Sequence, residues 1–312
     1  MKNRTLSWEL LGAAVGAGLA SGREIAAFFG RYGAWGYAGI ALACAAAAAV
    51  ADVRFTHTIL ARLWKGMLSL LLIATGGAML SGAGETAALS LPVQGARWIG
   101  MAVTLVLAWL LSQRTNAGLA WVSRAMLAVL AVLILSGLAL PPMQAARLEA
   151  PSVPLGLLRA LSYGGFNAAL MVPVLRCRSE LPALERRCAL RRACVLMALL
   201  LAAGNAVLQR HPALMAEELP FVRMSAAWGR AGYALAAASL YLAILSTLTA
   251  CVKGLQGRGT ALLAILLTAC LGFSGVVDIL YPLLGGGCLL IMLGAKFTNC
   301  IRNTFNSRRD ML

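Results

Sequence analysis

A cluster of glycines and polar residues interrupts the first apolar segment of the chain. Residues 12–29 read GAAVGAGLASGREIAAFF, which places Ser21, Arg23 and Glu24 among apolar neighbours. Glycine costs about 1 kcal/mol relative to alanine in a helix interior, and a charge near a membrane midplane costs at least ~2.5 kcal/mol. Backbone that unwinds inside a membrane offers carbonyl oxygens to a cation and N–H groups to an anion. The stretch therefore predicts a broken helix that binds a small polar ligand or an ion.

A second polar stretch with two glycines lies in the other half of the chain. Residues 162–167 read SYGGFN, and Pro173 follows them. We predict a second helix break here, where an aromatic ring and an amide cover and orient a small polar ligand. Unwound segments at matching places of two halves indicate a transporter binding site. The alternative is that these glycines allow neighbouring helices to pack closely.

The residues at the two predicted breaks, together with one acidic residue of the third apolar segment, form the predicted substrate site. They are Gly16, Ala17, Gly18, Ser21, Gly22, Glu85, Ser162, Tyr163, Gly164, Phe166 and Asn167. For Phe166 the alternative is an ordinary place in the apolar core.

Two acidic residues, Glu24 and Glu85, are candidate proton carriers, because acids inside a membrane are functional candidates by default. For Glu24 the alternative is a capping box with Ser21, which has the required S-x-x-E spacing. For Glu85, which has no basic residue three or four positions away, the alternative is a water-exposed helix end. We expect Arg23 to face an external vestibule and Asp278 to lie near a helix end.

The composition identifies a membrane protein with many spans. Of its 312 residues, 61% are hydrophobic and 12% are charged, whereas soluble domains carry about 25% charged residues. Ten apolar segments can each cross ~30 Å of hydrocarbon. They are residues 7–29, 33–52, 66–89, 97–112, 118–139, 157–176, 190–208, 225–252, 259–276 and 279–297.

The basic residues lie mostly in alternate loops between these segments. The net charge of +16 therefore follows the positive-inside pattern, which places both termini in the cytoplasm of a bacterial cell. We expect the lipid bilayer as a partner and no nucleic acid.

The sequence disfavours an enzyme. The two histidines, His57 and His211, fall in predicted loops on opposite sides, and no nucleophile, metal-binding or acid-pair motif appears. The eight cysteines are scattered without a CxxC pair, so neither a metal site nor a disulfide framework is expected. We expect no cofactor apart from Na⁺.

The ten segments divide into two sets of five, and each set begins with a glycine-interrupted segment. Five is odd, so the two sets insert in opposite orientations. We therefore predict a single all-α domain over residues 1–312, with one repeat at about 7–139 and an inverted repeat at about 157–297.

The stretch GAGLASGREIAAFFGRYGAWG resembles the opening signature of the YkvI-type bacterial membrane proteins. SYGGFN stands where those proteins carry a tyrosine–asparagine motif, and arginine occupies position 23, where glutamine is common among them. The resemblance covers the chain in span order. It implies the LeuT fold of the amino acid–polyamine–organocation superfamily, with broken first and sixth spans.

The resemblance also implies a Na⁺ site between the first and eighth spans. GAAVGAG, residues 12–18, matches the G-x-A-V-G-x-G segment of sodium-coupled LeuT-fold transporters. The implied ligands are the carbonyl oxygens of Gly12 and Val15 together with Ala243, Ser246 and Thr247. The alternative for the two hydroxyl residues is a hydrogen bond within their own helix.

These observations together predict a symporter that moves a small polar organic solute, an amino acid or a related zwitterion or amine. Coupling to Na⁺ or H⁺ would proceed by alternating access, in which spans 1, 2, 6 and 7 rock against spans 3, 4, 8 and 9. The alternative is a ligand sensor with a transporter fold and no transport activity, similar to the germinant-sensing relatives within the same superfamily. The sequence leaves the oligomeric state open.

Overall fold

The protein is helical throughout the part of the chain that the structure describes. The computed structural model describes residues 2–91, 93–113, 119–142 and 152–309, and these residues form no β-strand. A helix pairs its own backbone N–H and C=O groups, which a hydrocarbon environment requires of any spanning segment. The predicted all-α class is confirmed for these residues.

The helices follow the apolar segments of the sequence. In chain order they are α1 (Lys2–Ala14), α2 (Ala17–Ser21), α3 (Arg23–Phe28), α4 (Trp35–Val50), α5 (Thr58–Ser90), α6 (Ala96–Ser112), α7 (Leu119–Ala139), α8 (Val153–Cys177), α9 (Ala183–Arg210), α10 (Pro220–Ser225), α11 (Gly229–Gly254), α12 (Gly259–Ala269), α13 (Phe273–Gly275) and α14 (Tyr281–Arg309). Short 3₁₀ turns occupy Gly30–Tyr32, Pro212–Ala216 and Ala226–Trp228, and a π turn at Val276–Leu280 joins α13 to α14.

Several of these helices suit a membrane by length and composition. Among the described residues, five helical segments are long and apolar enough to cross one: Thr58–Ser90, Val153–Cys177, Ala183–Arg210, Pro220–Gly254 and Phe273–Arg302. Large apolar side chains also cover outward faces; Leu283 and Leu290, for example, are 69% and 72% exposed. Both findings agree with a membrane protein. Helices occupy all ten predicted segments, three of them in 7–29 and two in 259–276, and the ten-span arrangement itself stays a prediction.

The first apolar segment is interrupted twice, as the glycines predict. The helix ends at Ala14, and α2 begins after Gly16, whose backbone is extended at ψ −176°. Gly22 then separates α2 from α3 with φ +85°, a left-handed conformation that glycine adopts without steric cost. The predicted break in the first span is confirmed.

The predicted break in the sixth span is wrong, because α8 runs without interruption through SYGGFN and past Pro173. Its glycines serve close packing instead. A Cβ atom at Gly164 would press against the backbone of Ala43 in α4, and one at Gly165 would collide with the carbonyl oxygen of Gly285 in α14. The close-packing alternative therefore explains these glycines.

The long helices pack in two groups. The first helix group consists of α1, α4, α8 and α9, in which α1 and α4 each pack against both α8 and α9. The second helix group consists of α5, α6, α11 and α12, in which α5 packs against the other three. Helix α14 contacts α8 of the first group and α5 of the second. The broken segment lies between the groups, since α2 contacts α11 and α5 whereas α3 contacts α8 and α9.

Ion pairs add to the packing within the first helix group. Glu9 of α1 pairs with Arg178, just beyond α8, at 2.7 Å. Asp52, just beyond α4, lies 3.5 Å from Arg186 and 3.6 Å from Arg187 of α9. Each pair joins two helices that already contact one another, so both support the first helix group as a unit.

Candidate functional site

The break in the first segment places a carboxyl group inside the protein. Glu24, in the first turn of α3, is 3% exposed, and its Oε2 atom accepts a 3.0 Å hydrogen bond from the Tyr163 hydroxyl of α8. The carboxyl group lies against Gly18, where any Cβ atom would collide with it. Two residues of the predicted substrate site, Gly18 and Tyr163, therefore meet the proton-carrier candidate Glu24.

Aromatic rings pack around Tyr163, the hydrogen-bond partner of this carboxyl group. The Tyr163 ring lies 4.9 Å from Phe28 and 5.2 Å from Phe29, measured between ring centroids. Phe166 stacks on Tyr281 of α14 at 4.3 Å. Phe166 is thus packed in the core beside the site.

Buried polar side chains lie around these rings. Asn167 donates from Nδ2 to the Tyr163 carbonyl oxygen at 2.9 Å, and its Oδ1 atom has no hydrogen bond among the described residues. The Tyr281 hydroxyl and the Thr75 hydroxyl of α5 are also buried and face each other. Buried polar groups are almost always hydrogen-bonded in proteins, so the Asn167 Oδ1 atom marks a place for water, an ion or a ligand.

Sequence reasoning did not identify Thr75 or Tyr281. Thr75 stands in the run ATGGAML of the third apolar segment, where one hydroxyl among small residues was an available signal. Tyr281 follows Asp278 at the start of the last segment, and nothing local distinguishes it.

Ser21 and Glu24 do not form the predicted capping box. The residue that caps α3 is Gly22, and it makes no side-chain cap bond. Ser21 instead donates to the carbonyl oxygen of Gly18 at 2.7 Å and accepts from the Arg23 N–H group at 3.1 Å. The capping interpretation is wrong because the Glu24 carboxyl group turns to Tyr163 instead of to the Ser21 backbone.

Arg23 is buried, which corrects the prediction that it faces a vestibule. It is 4% exposed, and its Nη2 atom lies 2.7 Å from the Oδ2 atom of Asp278 in the π turn before α14. Its Nη1 atom donates to the carbonyl oxygens of Met215 and Glu217, each at 3.4 Å. Arg31 approaches the same Asp278 oxygen at 3.8 Å. The charge of Arg23 is therefore compensated, which permits its burial.

Glu85 lies away from the Glu24–Tyr163 contact. Its Oε1 atom pairs with Arg97 Nη1 of α6 at 3.0 Å, and its side chain is 21% exposed. Along α5, Glu85 is ten residues from Thr75, or about 15 Å at the helical rise. The basic partner of Glu85 comes from the next helix, so the spacing of residues within α5 does not reveal it.

The residues implied for Na⁺ come together in part. A Cβ atom at Gly16 would lie 3.9 Å from the Thr247 hydroxyl of α11, so the break faces that residue. Ser246 donates to the Ala243 carbonyl oxygen at 2.9 Å, which is the within-helix bond of the alternative interpretation. Gly12 and Val15 flank the end of α1. Of the three implied residues of α11, Thr247 is the one shown to face the broken segment, and a hydroxyl oxygen beside backbone carbonyl groups suits a hard cation.

A cavity of about 960 Å³ lies elsewhere, between the end of α5 and the start of α11. None of the predicted substrate-binding residues lines it. Within the described chain, no group of three or more His, Cys, Asp or Glu residues is arranged to hold a metal ion. The cluster around Glu24 is thus separate from this cavity, and it lies where α3 contacts α8 of the first helix group.

Comparison with known proteins adds no identification. No protein-family model and no curated protein matches this chain. The resemblance to the YkvI-type proteins therefore stays a prediction, and the functional argument depends on the geometry of the site.

Proposed function

We propose that the protein is a secondary transporter of a small polar organic solute, an amino acid or a related amine. The observation that carries the proposal is the interruption of the first segment where the two helix groups meet. Backbone breaks in a membrane protein are tolerated where they line a polar site, and broken helices form the binding sites of many transporters. In this proposal the helices form ten spans in a LeuT-like inverted repeat.

Glu24 is the group that receives the proton or the substrate ammonium. Its sequence neighbour Arg23 is committed to Asp278, and among the described residues no basic group lies within ion-pair distance of Glu24. A buried carboxylate without a cation costs several kcal/mol. The carboxyl group therefore either carries a proton or pairs with a bound cation, and a transport cycle can exchange the two.

The contact between Arg23 and Asp278 closes the site on its predicted external side. It joins the broken segment to the π turn before α14, with Arg31 as a second cation nearby. In the proposed cycle the first helix group rocks against the second, and this ion pair opens and reforms. Thr247 and the carbonyl oxygens near Gly16 hold Na⁺ where the broken segment contacts α11.

Ligand screening of the purified protein tests this proposal. Bound ligands stabilise by mass action, so amino acids and amines are screened by thermal shift with and without Na⁺. We expect a subset to raise the unfolding temperature of the wild type and to have no effect on Glu24→Gln. Proteoliposomes then measure uptake of each ligand that binds.

The outcomes separate the two functions that the sequence left open. Binding together with gradient-driven accumulation supports the transporter, whereas binding without accumulation assigns a sensor. If no amino acid or amine stabilises the wild type, the proposed substrate class is wrong.

A further inference from the structure

A groove on the outside of the protein runs between the end of α5 and the start of α11. The α5–α11 groove has a volume of about 960 Å³, and its walls are mostly alanine, leucine and tyrosine. Such a long apolar groove suits a flexible hydrocarbon chain.

The groove opens on a face that lipid would cover. Leu89 and Leu91 on its α5 side are 47% and 50% exposed, and Leu235 on the outer face of α11 is 65% exposed. Its length along α11, from Arg230 to Tyr241, is eleven residues, or about 16 Å at the helical rise. Half of a ~30 Å hydrocarbon core is about the same length. The groove therefore matches the depth of one leaflet.

One end of the groove carries a positive charge. Arg230 is the second residue of α11 and is exposed at the groove's end. The acids of the neighbouring segments have other partners: Glu85 pairs with Arg97, Glu217 pairs with Arg223, and Glu218 accepts the Ser274 N–H group. Among the described residues, no carboxylate lies within ion-pair distance of Arg230.

At the other end of the groove, the hydroxyl groups of Thr86 and Tyr241 already have hydrogen-bond partners within the protein. Thr86 donates to the Gly82 carbonyl oxygen at 2.8 Å, and the Tyr241 hydroxyl lies 3.1 Å from the Thr104 hydroxyl. A hydrocarbon chain can therefore lie against this end without burying an unpaired polar group.

We propose that the α5–α11 groove binds one anionic phospholipid. Its phosphate contacts Arg230 at the end of the groove, and one acyl chain runs along Ala234 and Ala238 towards Tyr241. A basic residue at the level of the headgroups, followed by apolar walls one leaflet deep, is the arrangement that such a lipid fits. The inference is independent of the transport proposal, because none of the groove residues belongs to the site around Glu24.

Two variants and one control test the lipid site. Ala238→Trp fills the groove without a change in charge, and Arg230→Ala removes the phosphate contact and leaves the groove open. Leu242→Trp is the matched control, because Leu242 is 51% exposed on the same helix and does not line the groove. Each protein is titrated with phosphatidylglycerol or phosphatidylcholine in detergent, with thermal shift and native mass spectrometry as readouts.

We expect phosphatidylglycerol to bind the wild type and Leu242→Trp as a one-to-one complex and to raise their unfolding temperatures. Arg230→Ala should bind about fivefold more weakly, the factor for one basic residue at an anionic surface. Ala238→Trp should lose the complex. Equal binding of both lipids, or unchanged binding by Ala238→Trp, would overturn the proposal. So would a wild type that is dimeric in detergent together with a monomeric Ala238→Trp variant, which would assign the groove to a second copy.

Discussion

The Tyr163 hydroxyl of α8 donates a 3.0 Å hydrogen bond to the Glu24 carboxyl group of α3. This bond crosses from the broken segment to a continuous helix, and both side chains are buried. Among the described residues it is the one hydrogen bond to the Glu24 carboxyl group, so the two residues depend on each other.

Tyr163→Phe should lower stability, because it leaves a buried carboxyl group without a hydrogen bond. Such a loss costs about 1–3 kcal/mol. Glu24→Gln retains an oxygen that can accept the bond, so its unfolding temperature should stay near that of the wild type. The measurement is thermal unfolding in detergent, with the exposed Tyr37→Phe as the control. A Tyr163→Phe protein as stable as Tyr37→Phe would contradict the dependence.

Glu24→Gln should also abolish the coupling of ligand accumulation to a pH gradient without unfolding the protein. Glutamine cannot carry a proton, so ligand accumulation driven by a pH gradient should be lost in proteoliposomes while the protein stays folded. Exchange of labelled ligand at equal pH on both sides is the control measurement. Gradient-driven accumulation at the wild-type level in Glu24→Gln would exclude Glu24 as the proton carrier.

Asp278→Asn should destabilise the closed conformation, because it leaves the Arg23 guanidinium buried without a carboxylate. Breaking a buried pair on one side costs about 3–5 kcal/mol. Arg31→Gln should cost less, because Arg31 is 32% exposed and lies 3.8 Å from Asp278. The measurement is the unfolding temperature of each variant.

The double variant Arg23→Gln/Asp278→Asn is the test of this pairing. Removal of both charges leaves no unpaired buried charge. The stability lost by the double variant should therefore be smaller than the sum of the losses in Arg23→Gln and Asp278→Asn. Additive losses would show that the two residues act independently.

The helix positions and the first break could be predicted because both depend on local sequence. Apolar windows locate helices, and glycines at 16 and 22 stand where the chain turns from α1 to α2 and α3. The continuity of α8 could not be predicted in the same way. SYGGFN resembles a break locally, and only its packing against Gly285, far along the chain, reveals close helix contact.

The partners of the buried charges could not be predicted for a related reason. Arg23 and Asp278 are 255 positions apart, and Glu85 meets Arg97 across two helices. The spacing of residues within one helix predicts contacts only between side chains three or four positions apart. The buried hydroxyls of Thr75 and Tyr281, which face each other, likewise come from helices that sequence alone does not place side by side.

Gly18→Ala should disrupt the site, because its Cβ atom would occupy the space of the Glu24 carboxyl group. Overpacking of this kind costs about 1–3 kcal/mol. Gly16→Ala is the matched control, since its nearest neighbour, Thr247, would lie 3.9 Å away in ordinary contact. In the background of Glu24→Ala, which frees the space, Gly18→Ala should cost little. An equal cost in both backgrounds, measured by thermal unfolding, would contradict the contact.

Gly165→Ala should destabilise the protein, because α8 and α14 meet there with no room for a methyl group. We expect a loss of about 1–3 kcal/mol. Gly66→Ala in α5 has no atom within 4 Å of the new methyl group, so it should be neutral or gain up to about 1 kcal/mol in helix propensity. If α8 were unwound at SYGGFN, alanine at 165 would be tolerated as well as alanine at 66.

Thr247→Val should abolish stabilisation by Na⁺ if the proposed ion site is correct. The substitution keeps the shape of the side chain and removes the hydroxyl that faces the break at Gly16. Thr249→Val is the matched control on the same helix, because the Thr249 hydroxyl donates to the Leu245 carbonyl oxygen. Stabilisation by a bound ion grows with its concentration, so unfolding temperatures are compared across a series of NaCl concentrations with choline chloride at constant ionic strength.

We expect the Na⁺-dependent rise in unfolding temperature in the wild type and Thr249→Val and its absence in Thr247→Val. A wild type that responds equally to Na⁺ and choline has no such site, which would leave the proton as the candidate coupling ion.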